Sequence, residues 1–593
     1  MYITITKKEG EFYMDIISKM REKIKLVLED LGYVDKVPLI HASSRPEFGE
    51  FQYNGAMQIA KEMKKNPREV AENIIKKLNE FDIFENLNIA GPGFINISIK
   101  DEYLFKYLNE IQEDISKNII KYPAKEIFVD YGGPNVAKAL HVGHLRSANI
   151  GEALKRVAKL VGNDVIGDVH FGDIGRQSGM VIYGIKKELP DLIYFKDDYK
   201  GKYPDKAPIT NEYLERIYPK ISTEAKENED IMEEVRKITA MLDKGHKGYN
   251  ALWNQIKKVS IENIKNTFKK INVDFELWEG ESDSYPYIES VIKKLKENNC
   301  LEESQGAYVV YINKEDDKFD IPPLLVLKSD GTSLYATREL ATLYSRVKRF
   351  DPDEIWYVVD NRQRLYFTQV FRTVYKSGLV SKNTKLEFIG FGTMNGKDGK
   401  PFKTRDGGVM KLDTLLEEIK EESNQYLEKD NIEESEKSDI ANKVAVAALK
   451  YADLLPNREK DYVFDPKRFS SLEGKTGPYV IYSCIRIKSL VNKSNEKNVK
   501  ITGIYTNTEK DIMTKILEMP IVIDSAYRNK TLSEITEYLY SLDSLYNKFY
   551  AENRIITESC EEKRKSWIAL SKLVYKVNKI LLDTLAIDIP EKM

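Results

Sequence analysis

The sequence predicts a multidomain α/β protein with a doubly wound parallel sheet at its centre and an all-helical C-terminal domain. Three observations predict this architecture. At 593 residues the chain is too long for a single hydrophobic core. Between residues 126 and 170 a strand, a glycine-rich loop, a helix and a second strand follow one another, as at the start of many nucleotide-binding sheets. Beyond about residue 410 the apolar spacing is almost entirely helical.

The first 120 residues have the pattern of a compact α/β unit. Apolar residues recur at helical spacing in Met14–Leu28 and again in Pro67–Leu78. Residues Leu87–Ile99 alternate like two strands around the turn Gly-Pro-Gly at 91–93. We therefore expect an N-terminal α/β domain at residues 1–120.

The central sheet is expected to begin with a short apolar strand at Glu126–Tyr131. A helix from about Gly143 to Val161 follows, and it carries apolar residues at helical spacing. Val165–His170 has the pattern of the next strand. Later strands are expected at Leu324–Leu327 and Glu354–Val359.

The remaining boundaries follow from changes in composition. Residues from about 190 to 320 are charged, lysine-rich and mostly helical in pattern, which is typical of an insertion. We therefore expect the central domain to cover residues 121–410 with this insertion inside it. A helical domain is expected to cover residues 411–593.

Composition excludes several classes of protein. The three cysteines, Cys300, Cys484 and Cys560, are far apart and allow no disulfide framework, so we expect a cytoplasmic protein. No apolar run is long enough to span a membrane, and the first thirty residues contain no apolar signal core. The formal net charge is −2, so any surface that binds a nucleic acid must be a local patch.

The strongest chemical signal lies where the first central strand meets its helix. Three of the five histidines fall between residues 141 and 170, and His141 and His144 form the sequence His-Val-Gly-His. Gly143 allows a nucleotide to approach the backbone, and a helix N-terminus offers free N–H groups to phosphate. Both imidazoles can donate hydrogen bonds to phosphate oxygens, and Lys138 adds a positive charge. The alternative, a pair of metal ligands, is disfavoured because no cysteine lies nearby.

Six segments together resemble the arginyl-tRNA synthetase family of class I enzymes. Asp130–Ser147 is similar to that family's form of the HIGH motif, and Gly172–Gly179 is similar to its Gly-Asp-x-Gly-x-Gln-x-Gly loop. Asp330–Glu339 resembles its arginine-binding segment, and Gly396–Arg405 stands in the place of the KMSKS loop. The other two matches are Ile89–Asn96 and Leu585–Met593.

This resemblance covers the chain from end to end in the right order. It implies a Rossmann-type catalytic domain, an N-terminal domain that contacts tRNA and an all-α anticodon-binding domain at the C-terminus. The implied reaction forms arginyl-adenylate from L-arginine and ATP with Mg²⁺, and then transfers arginine to the 3′ end of tRNA(Arg). The resemblance also implies that no metal is held by protein ligands. We expect a monomer that binds no membrane.

The resemblance implies an arginine pocket with two carboxylates, Asp130 and Glu339, facing the substrate guanidinium. Such a group is planar and always charged, so paired acids suit it. Tyr335 and Gln363 are implied in the pocket walls and Asn135 near the α-amino group. Tyr335 and Glu339 are four positions apart, so they share one face if the segment is helical.

Glu339 also has a plainer interpretation. It could be a solvated helix acid that pairs with Arg338 or Arg346. The family usually carries aspartate at this position, and the extra methylene moves the carboxylate by about 1.5 Å. We expect the pocket to shift sideways and still to hold arginine.

Three other positions depart from the family's usual pattern. Ile174 and Ser178 replace bulky aromatic residues that are common in its loop, which would loosen the pocket wall. Tyr366 stands where a histidine is frequent, and it would alter contacts near the adenosine.

The segment in the place of the KMSKS loop lacks the usual sequence. Lys397–Lys411 carries five basic residues against two acids, together with four nearby glycines, which is typical of a mobile basic lid. Family members with a degenerate loop have a lysine ahead of HIGH, and Lys138 matches it. The resemblance therefore implies Lys138 and Lys403 as transition-state cations, with Arg405 as the alternative to Lys403. An ordinary hairpin turn is the plainer interpretation of the sequence Lys-Asp-Gly-Lys.

The C-terminal helices are implied to recognise tRNA. Between residues 461 and 500 there are eight Lys or Arg against four Asp or Glu. Aromatic side chains interleaved with cations suit a single-stranded anticodon loop. The plainer interpretation is core packing, because tyrosine and isoleucine at helical spacing are usually buried. The candidate tRNA-binding residues are Arg468, Lys475, Tyr479, Tyr482 and Arg486.

Alternative functions remain open from the sequence. A small-molecule nucleotidyltransferase also uses a His-x-Gly-His-like loop, but it would not need the long helical C-terminal domain. A non-catalytic tRNA-binding paralogue would be expected to lose His141, His144 or Lys138, and all three are present. A duplicate or specialised synthetase with an altered pocket is compatible with the departures above.

Overall fold

The structure is a computed structural model that describes residues 14–33, 38–43, 45–206, 208–400, 410–424 and 433–593. None of the helices in these ranges is both long and apolar enough to cross a membrane.

An antiparallel sheet covered by helices forms the N-terminal part. Its elements are α1 (Ile16–Asp30), β1 (Ile40–Ala42), β2 (Phe51–Tyr53), α2 (Gly55–Met63), α3 (Pro67–Leu78), β3 (Phe84–Ala90), β4 (Phe94–Ile99) and α4 (Asp101–Glu113). The strand order is β1-β2-β4-β3, and neighbouring strands are antiparallel. Helix α3 is capped by the Asn66 side chain, and Pro67 in its first turn fits because that position needs no N–H bond. The two helices and the strand pair predicted here are confirmed.

The central part alternates strands and helices around a parallel sheet. The elements in chain order are β5 (Glu126–Asp130), α5 (Val142–Leu160), β6 (Asp164–Asp168), α6 (Arg176–Glu188), α7 (Asn211–Glu227), α8 (Glu229–Asp243), α9 (Lys247–Lys270), α10 (Tyr285–Glu297), β7 (Glu302–Ser304), β8 (Ala307–Val310), β9 (Leu324–Lys328), α11 (Tyr335–Phe350), β10 (Glu354–Asp360), α12 (Arg364–Lys376), β11 (Lys385–Phe391) and β12 (Met394–Asn395).

Helices cover both faces of this sheet. Its order is β11-β10-β5-β6, and all three strand pairs are parallel. Ile127 and Val129 belong to the apolar core that includes α5, whereas Phe128 belongs to a second core with α11 and α12. Successive side chains of a strand point to opposite faces, so this alternation confirms a doubly wound sheet. The chain leaves β5 toward β6 on one side and returns as β10 on the other, which opens a crevice at the carboxyl ends of these strands.

The segment between the two halves of the sheet is helical over α7, α8 and α9, as predicted. It then forms a small antiparallel sheet in the order β7-β8-β9. The strand predicted at Leu324–Leu327 is confirmed as β9, and it lies in this antiparallel sheet rather than in the parallel one.

The C-terminal part is helical except for one two-residue strand within the described ranges. Trp567, Val574 and Leu581 of its last helix are buried, which confirms a packing role for that helix. The elements are α13 (Leu412–Asn424), α14 (Glu434–Leu454), β13 (Tyr462–Val463), α15 (Pro466–Phe469), α16 (Gly477–Ser494), α17 (Asn507–Leu517), α18 (Met519–Asn529), α19 (Ser533–Glu552) and α20 (Glu561–Thr584).

A buried ion pair joins this helical part to α5. Arg146 Nε lies 2.9 Å from Asp453 Oδ1, and both side chains are almost fully buried. Asn149 of α5 and the Tyr462 hydroxyl donate further hydrogen bonds to the same carboxylate, at 2.8 and 2.9 Å. The helix that begins at the His-Val-Gly-His turn is therefore held by the C-terminal helices.

Candidate active site

The two histidines of the turn form the N-terminal cap of α5. His141 Nδ1 accepts a hydrogen bond from Gly143 N at 3.0 Å, and His144 Nδ1 accepts one from His141 N at 3.1 Å. The ring centres are 3.8 Å apart. Because each Nδ1 is an acceptor, the proton of each neutral ring lies on Nε2. Both imidazoles thus keep an N–H donor that the cap does not use.

The charge of this turn comes from lysine rather than histidine. Burial lowers the pKa of His144 to about 3, and the neighbouring His141 and Lys138 add to the shift. Burial also lowers the pKa of His141. Both rings are therefore neutral near pH 7. Lys138 has no ion pair within the described residues, and its Nζ lies 4.6 Å from the ring centre of Tyr218.

Gly143 is required by the turn itself. A Cβ atom at this position would come within 2.8 Å of the His141 ring. Such a contact would displace the ring that caps the helix. The glycine predicted to admit a nucleotide therefore also permits the cap.

One end of the basic loop, the segment Lys397–Lys411, is attached to this turn. Val142 N donates to Met410 O, and Leu412 N donates to Leu140 O, each at 3.0 Å. At the other end Gly396 N donates to Lys400 O at 2.8 Å, so the hairpin turn suggested by Lys-Asp-Gly-Lys is present. Lys403 and its alternative Arg405 lie outside the described residues.

Glu339 is buried and only 6 % exposed. Its Oε1 has no hydrogen-bond partner among the described residues. Burial raises the pKa of this carboxyl, and the charge of Asp130 adds to the shift. The interpretation of Glu339 as a solvated acid paired with arginine is wrong, because Arg338 pairs with Glu281 and Arg346 pairs with two aspartates.

Two tyrosines stand beside Glu339. Tyr335 begins α11 one turn before Glu339, so the predicted shared helical face is confirmed. The ring centres of Tyr335 and Tyr366 are 5.5 Å apart. The Tyr366 hydroxyl is buried and has no hydrogen-bond partner among the described residues. The pKa values of both tyrosines are raised by burial first and by the Glu339 charge second.

Asn135 lies against the neighbouring loop. Val136 N donates a hydrogen bond to Gly172 O, and Gly172 N donates one to Pro134 O, each at 2.9 Å. A Cβ atom at Gly172 would come within 2.5 Å of Asn135 Oδ1, so the glycine leaves room for the amide. The loop that resembles the Gly-Asp-x-Gly motif thus supports the residue predicted near the α-amino group.

Gln363, which is predicted in the pocket wall, immediately precedes α12. It is exposed, in the short helical turn that follows β10. Ile174 and Ser178 line a cavity of about 740 Å³ between their loop and helices α8 and α9. None of the residues predicted for the arginine pocket lines this cavity, so the loosening of the pocket wall stays a prediction.

Sequence reasoning missed three residues beside Glu339 and Asp130. His170 has a left-handed backbone, with φ of 33°, and its buried Nδ1 has no partner among the described residues. Glu281 reaches the site from the segment before α10, and burial raises the pKa of its carboxyl. Arg346 lies 2.6 Å from a carboxylate oxygen of Asp130. The clustering of three histidines at 141–170 was the one signal available for His170.

The candidate tRNA-binding residues divide into two groups. Tyr479 and Arg486 pack on α19, where Asn547 donates to the Tyr479 hydroxyl and accepts from Arg486. Tyr482 is half-buried under the Arg486 guanidinium, at 5.0 Å. Arg468 and Lys475 are exposed, and Lys475 pairs with Glu537 at 2.6 Å.

The parallel sheet with a histidine-capped turn at its switch point, followed by a helical C-terminal part, has the architecture of a class I aminoacyl-tRNA synthetase. Residues 109–466 match the family described as tRNA synthetases class I (R), catalytic domain. Residues 18–99 match the arginyl tRNA synthetase N terminal domain, and residues 480–593 match the DALR anticodon binding domain. The chain belongs to the arginyl-tRNA synthetase family.

Full-length relatives agree with this assignment. An arginine–tRNA ligase of Alkaliphilus oremlandii is 46% identical over 585 residues, covering 98% of this chain and all of the relative. One from Francisella tularensis subsp. novicida is 40% identical, with the same coverage. Arginyl-tRNA synthetase structures from Plasmodium falciparum and Thermus thermophilus share the fold, with TM-scores of 0.79 and 0.82 at 24% and 19% identity. Each covers 98% of this chain and all of the other.

Proposed function

We propose that this protein ligates L-arginine to tRNA(Arg) in two steps, forming arginyl-adenylate from ATP and then esterifying the 3′ end of the tRNA. The free carboxylate oxygen of Glu339 carries the proposal. A buried acid without a partner is costly, and a substrate guanidinium would satisfy it.

The pocket binds arginine by charge at one end and by hydrogen bonds at the other. Glu339 and Asp130 face the guanidinium, and Tyr335 covers it from the start of α11. Asn135 binds the α-amino group. Gln363 contacts the substrate from the pocket wall.

Activation needs positioning and charge neutralisation rather than a general base. The attacking group is the substrate's own carboxylate, and AMP is transferred to it as pyrophosphate leaves. His141 and His144 donate their Nε2 hydrogens to phosphate oxygens, and Gly143 admits the adenine. Mg²⁺ arrives with ATP and adds positive charge on the phosphates, while Lys138 supplies the fixed charge on the protein.

The basic loop acts as a lid over the nucleotide. Lys403, or Arg405 in its place, adds a second cation when the loop closes. Support comes from the anchor at Met410, which ties the end of the loop to the residue after His141.

tRNA binds along the helical C-terminal part and the N-terminal domain. Tyr482, Arg468 and Lys475 are the accessible candidates for stacking and phosphate contacts, with Tyr479 and Arg486 shaping the surface behind them. The domains divide at 1–120, 121–410 and 411–593. The protein acts as a cytoplasmic monomer.

A specialised synthetase with an altered pocket is the second candidate. Glu339 in place of the family's usual aspartate favours it. A non-catalytic tRNA-binding paralogue is disfavoured, because the cap formed by His141 and His144 is intact.

Aminoacylation of total tRNA with each amino acid in turn tests the proposal. We expect arginine alone to be attached, and only when ATP is present. Saturable attachment of lysine or another amino acid in preference to arginine would refute it. No attachment of any amino acid would favour the non-catalytic paralogue.

A variant of the turn tests the catalytic assignment in the same assay. We expect His144→Ala to lower the activation rate by about 30- to 1,000-fold, or roughly 2–4 kcal/mol of transition-state stabilisation. His246→Ala is a matched control, because His246 also caps a helix through Nδ1, at the start of α9. Equal rates in the two variants would show that His144 does not act on the phosphates.

A further inference from the structure

A buried arginine of the chain bridges the ends of the two strands that lead into the site. Asp130 and Asp168 are the last residues of β5 and β6, and they are direct partners in the strand register. Arg346 Nη2 lies 2.6 Å from a carboxylate oxygen of each. The Arg346 side chain is 1 % exposed. Two facing aspartates would repel one another, so this cation stabilises both strand ends.

The surroundings of Arg346 contain the groups that bind a guanidinium, although the buried Nε has no hydrogen-bond partner among the described residues. The Tyr357 hydroxyl lies 3.1 Å from Nη1, and the guanidinium carbon lies 4.8 Å from the Phe128 ring centre. Two carboxylates, a phenol and an aromatic face are the groups that recognise a planar cation. The protein fills this site with its own side chain.

The filled site adjoins the one proposed for the substrate. Glu339 lies seven residues before Arg346 on α11, two turns or about 10 Å along the helix. Asp130 belongs to both sites, because it pairs with Arg346 and its charge also acts on Glu339. The position of the Asp130 carboxylate therefore depends on Arg346.

We propose that Arg346 is a positioning residue for arginine recognition. Its guanidinium holds one carboxylate oxygen of Asp130, so that the other oxygen is aimed at the substrate. Because Arg346 is paired with the aspartates, the Glu339 carboxylate stays available to the substrate guanidinium. The inference rests on the proposed ligation of arginine. Without Arg346, two carboxylates are left unpaired in a buried place, and the Asp130 carboxylate turns away from the substrate.

Arg346→Ala tests the inference through the Michaelis constants of the two small substrates. We expect the KM for arginine to rise by about tenfold or more, equivalent to losing one good contact, while the KM for ATP stays within about twofold. Arg349→Ala is the matched control. It removes the same charge three residues further along α11, where Arg349 pairs with Glu279 in a partly exposed position.

Chemical rescue separates positioning from general support of the fold. Guanidinium ions, at concentrations too low to unfold protein, should occupy the vacated space in Arg346→Ala. We expect them to recover most of the lost arginine affinity, whereas ammonium at the same ionic strength should not. Recovery by both ions alike, or by neither, would overturn the inference.

A lysine variant carries the test if the alanine variant does not fold. Arg346→Lys keeps the charge but cannot bridge two carboxylates and a phenol together. We expect a raised KM for arginine here too, and an unchanged KM would overturn the inference. Failure of the wild-type protein to attach arginine at all would instead refute the proposed function.

Discussion

One carboxylate oxygen of Glu339 is buried without a hydrogen-bond partner in the part of the chain that the structure describes. Neither neighbouring arginine is available to it, since Arg338 and Arg346 have other partners. A buried acid of this kind lowers the stability of the empty protein and favours a bound cation. Affinity for arginine and stability without it are therefore opposed at this one side chain.

Replacing Glu339 by glutamine should stabilise the ligand-free protein. The pKa of Glu339 is raised above its ordinary value, so its ionised form costs stability at neutral pH. We expect Glu339→Gln to raise the free energy of unfolding at pH 7 by an amount on the order of 1 kcal/mol, and to raise the midpoint temperature with it. The gain should shrink as the pH falls through the raised pKa, where the wild-type carboxyl is protonated.

Glu279 provides a control variant for the Glu339→Gln experiment. Glu279 is paired with Arg349, so Glu279→Gln should leave stability unchanged or lower it by up to about 1 kcal/mol. Calorimetric unfolding across pH measures both variants. A lower midpoint for Glu339→Gln at pH 7 would show that this carboxyl is already satisfied.

The sequence predicted some ionisable residues of the site and not others. Asp130 and Glu339 were predicted by resemblance, and the structure brings their charges together. Arg346 was considered only as a partner for Glu339, because its contacts with Asp130 and Asp168 join distant parts of the chain. The site residue Glu281 had no local signal, since it reaches Glu339 only through the fold.

Helix α5 was the element most fully predicted. Its apolar spacing placed it between about 143 and 161, and the structure has it at Val142–Leu160. The cap formed by His141 and His144 could not be predicted, because it depends on ring orientations. The link from Arg146 to Asp453 was also beyond the sequence, since it joins residues 307 positions apart.

Breaking that link should destabilise the protein strongly. Removing Asp453 leaves Arg146 as an unpaired buried charge, which costs about 3–5 kcal/mol. We expect Asp453→Ala to lower the unfolding midpoint in urea far more than Lys579→Ala, which breaks an exposed pair with Asp583. Combining Asp453→Leu with Arg146→Met should recover part of the loss. Equal small effects in the two single variants would show that the buried pair does not hold α5.

The sequence predicted the order of the main structural parts, but not every sheet within them. The doubly wound sheet and the helical C-terminal part are confirmed, because their periodic patterns are long. The antiparallel sheet of β7, β8 and β9 was not foreseen, because its hairpin consists of very short strands inside a charged segment. Contacts between distant parts of the chain, which hold α5 in place, required the structure.

The proposed function requires that the pocket formed by Glu339 and Asp130 recognises the positive charge of arginine. Calorimetric titration with arginine and with citrulline, its uncharged isostere, tests this directly, with tRNA present in each titration. We expect the wild-type protein to bind arginine and to bind citrulline at least about 30-fold more weakly, with Glu339→Gln abolishing the difference. Equal affinity for the two ligands, or an unchanged preference in Glu339→Gln, would contradict this requirement.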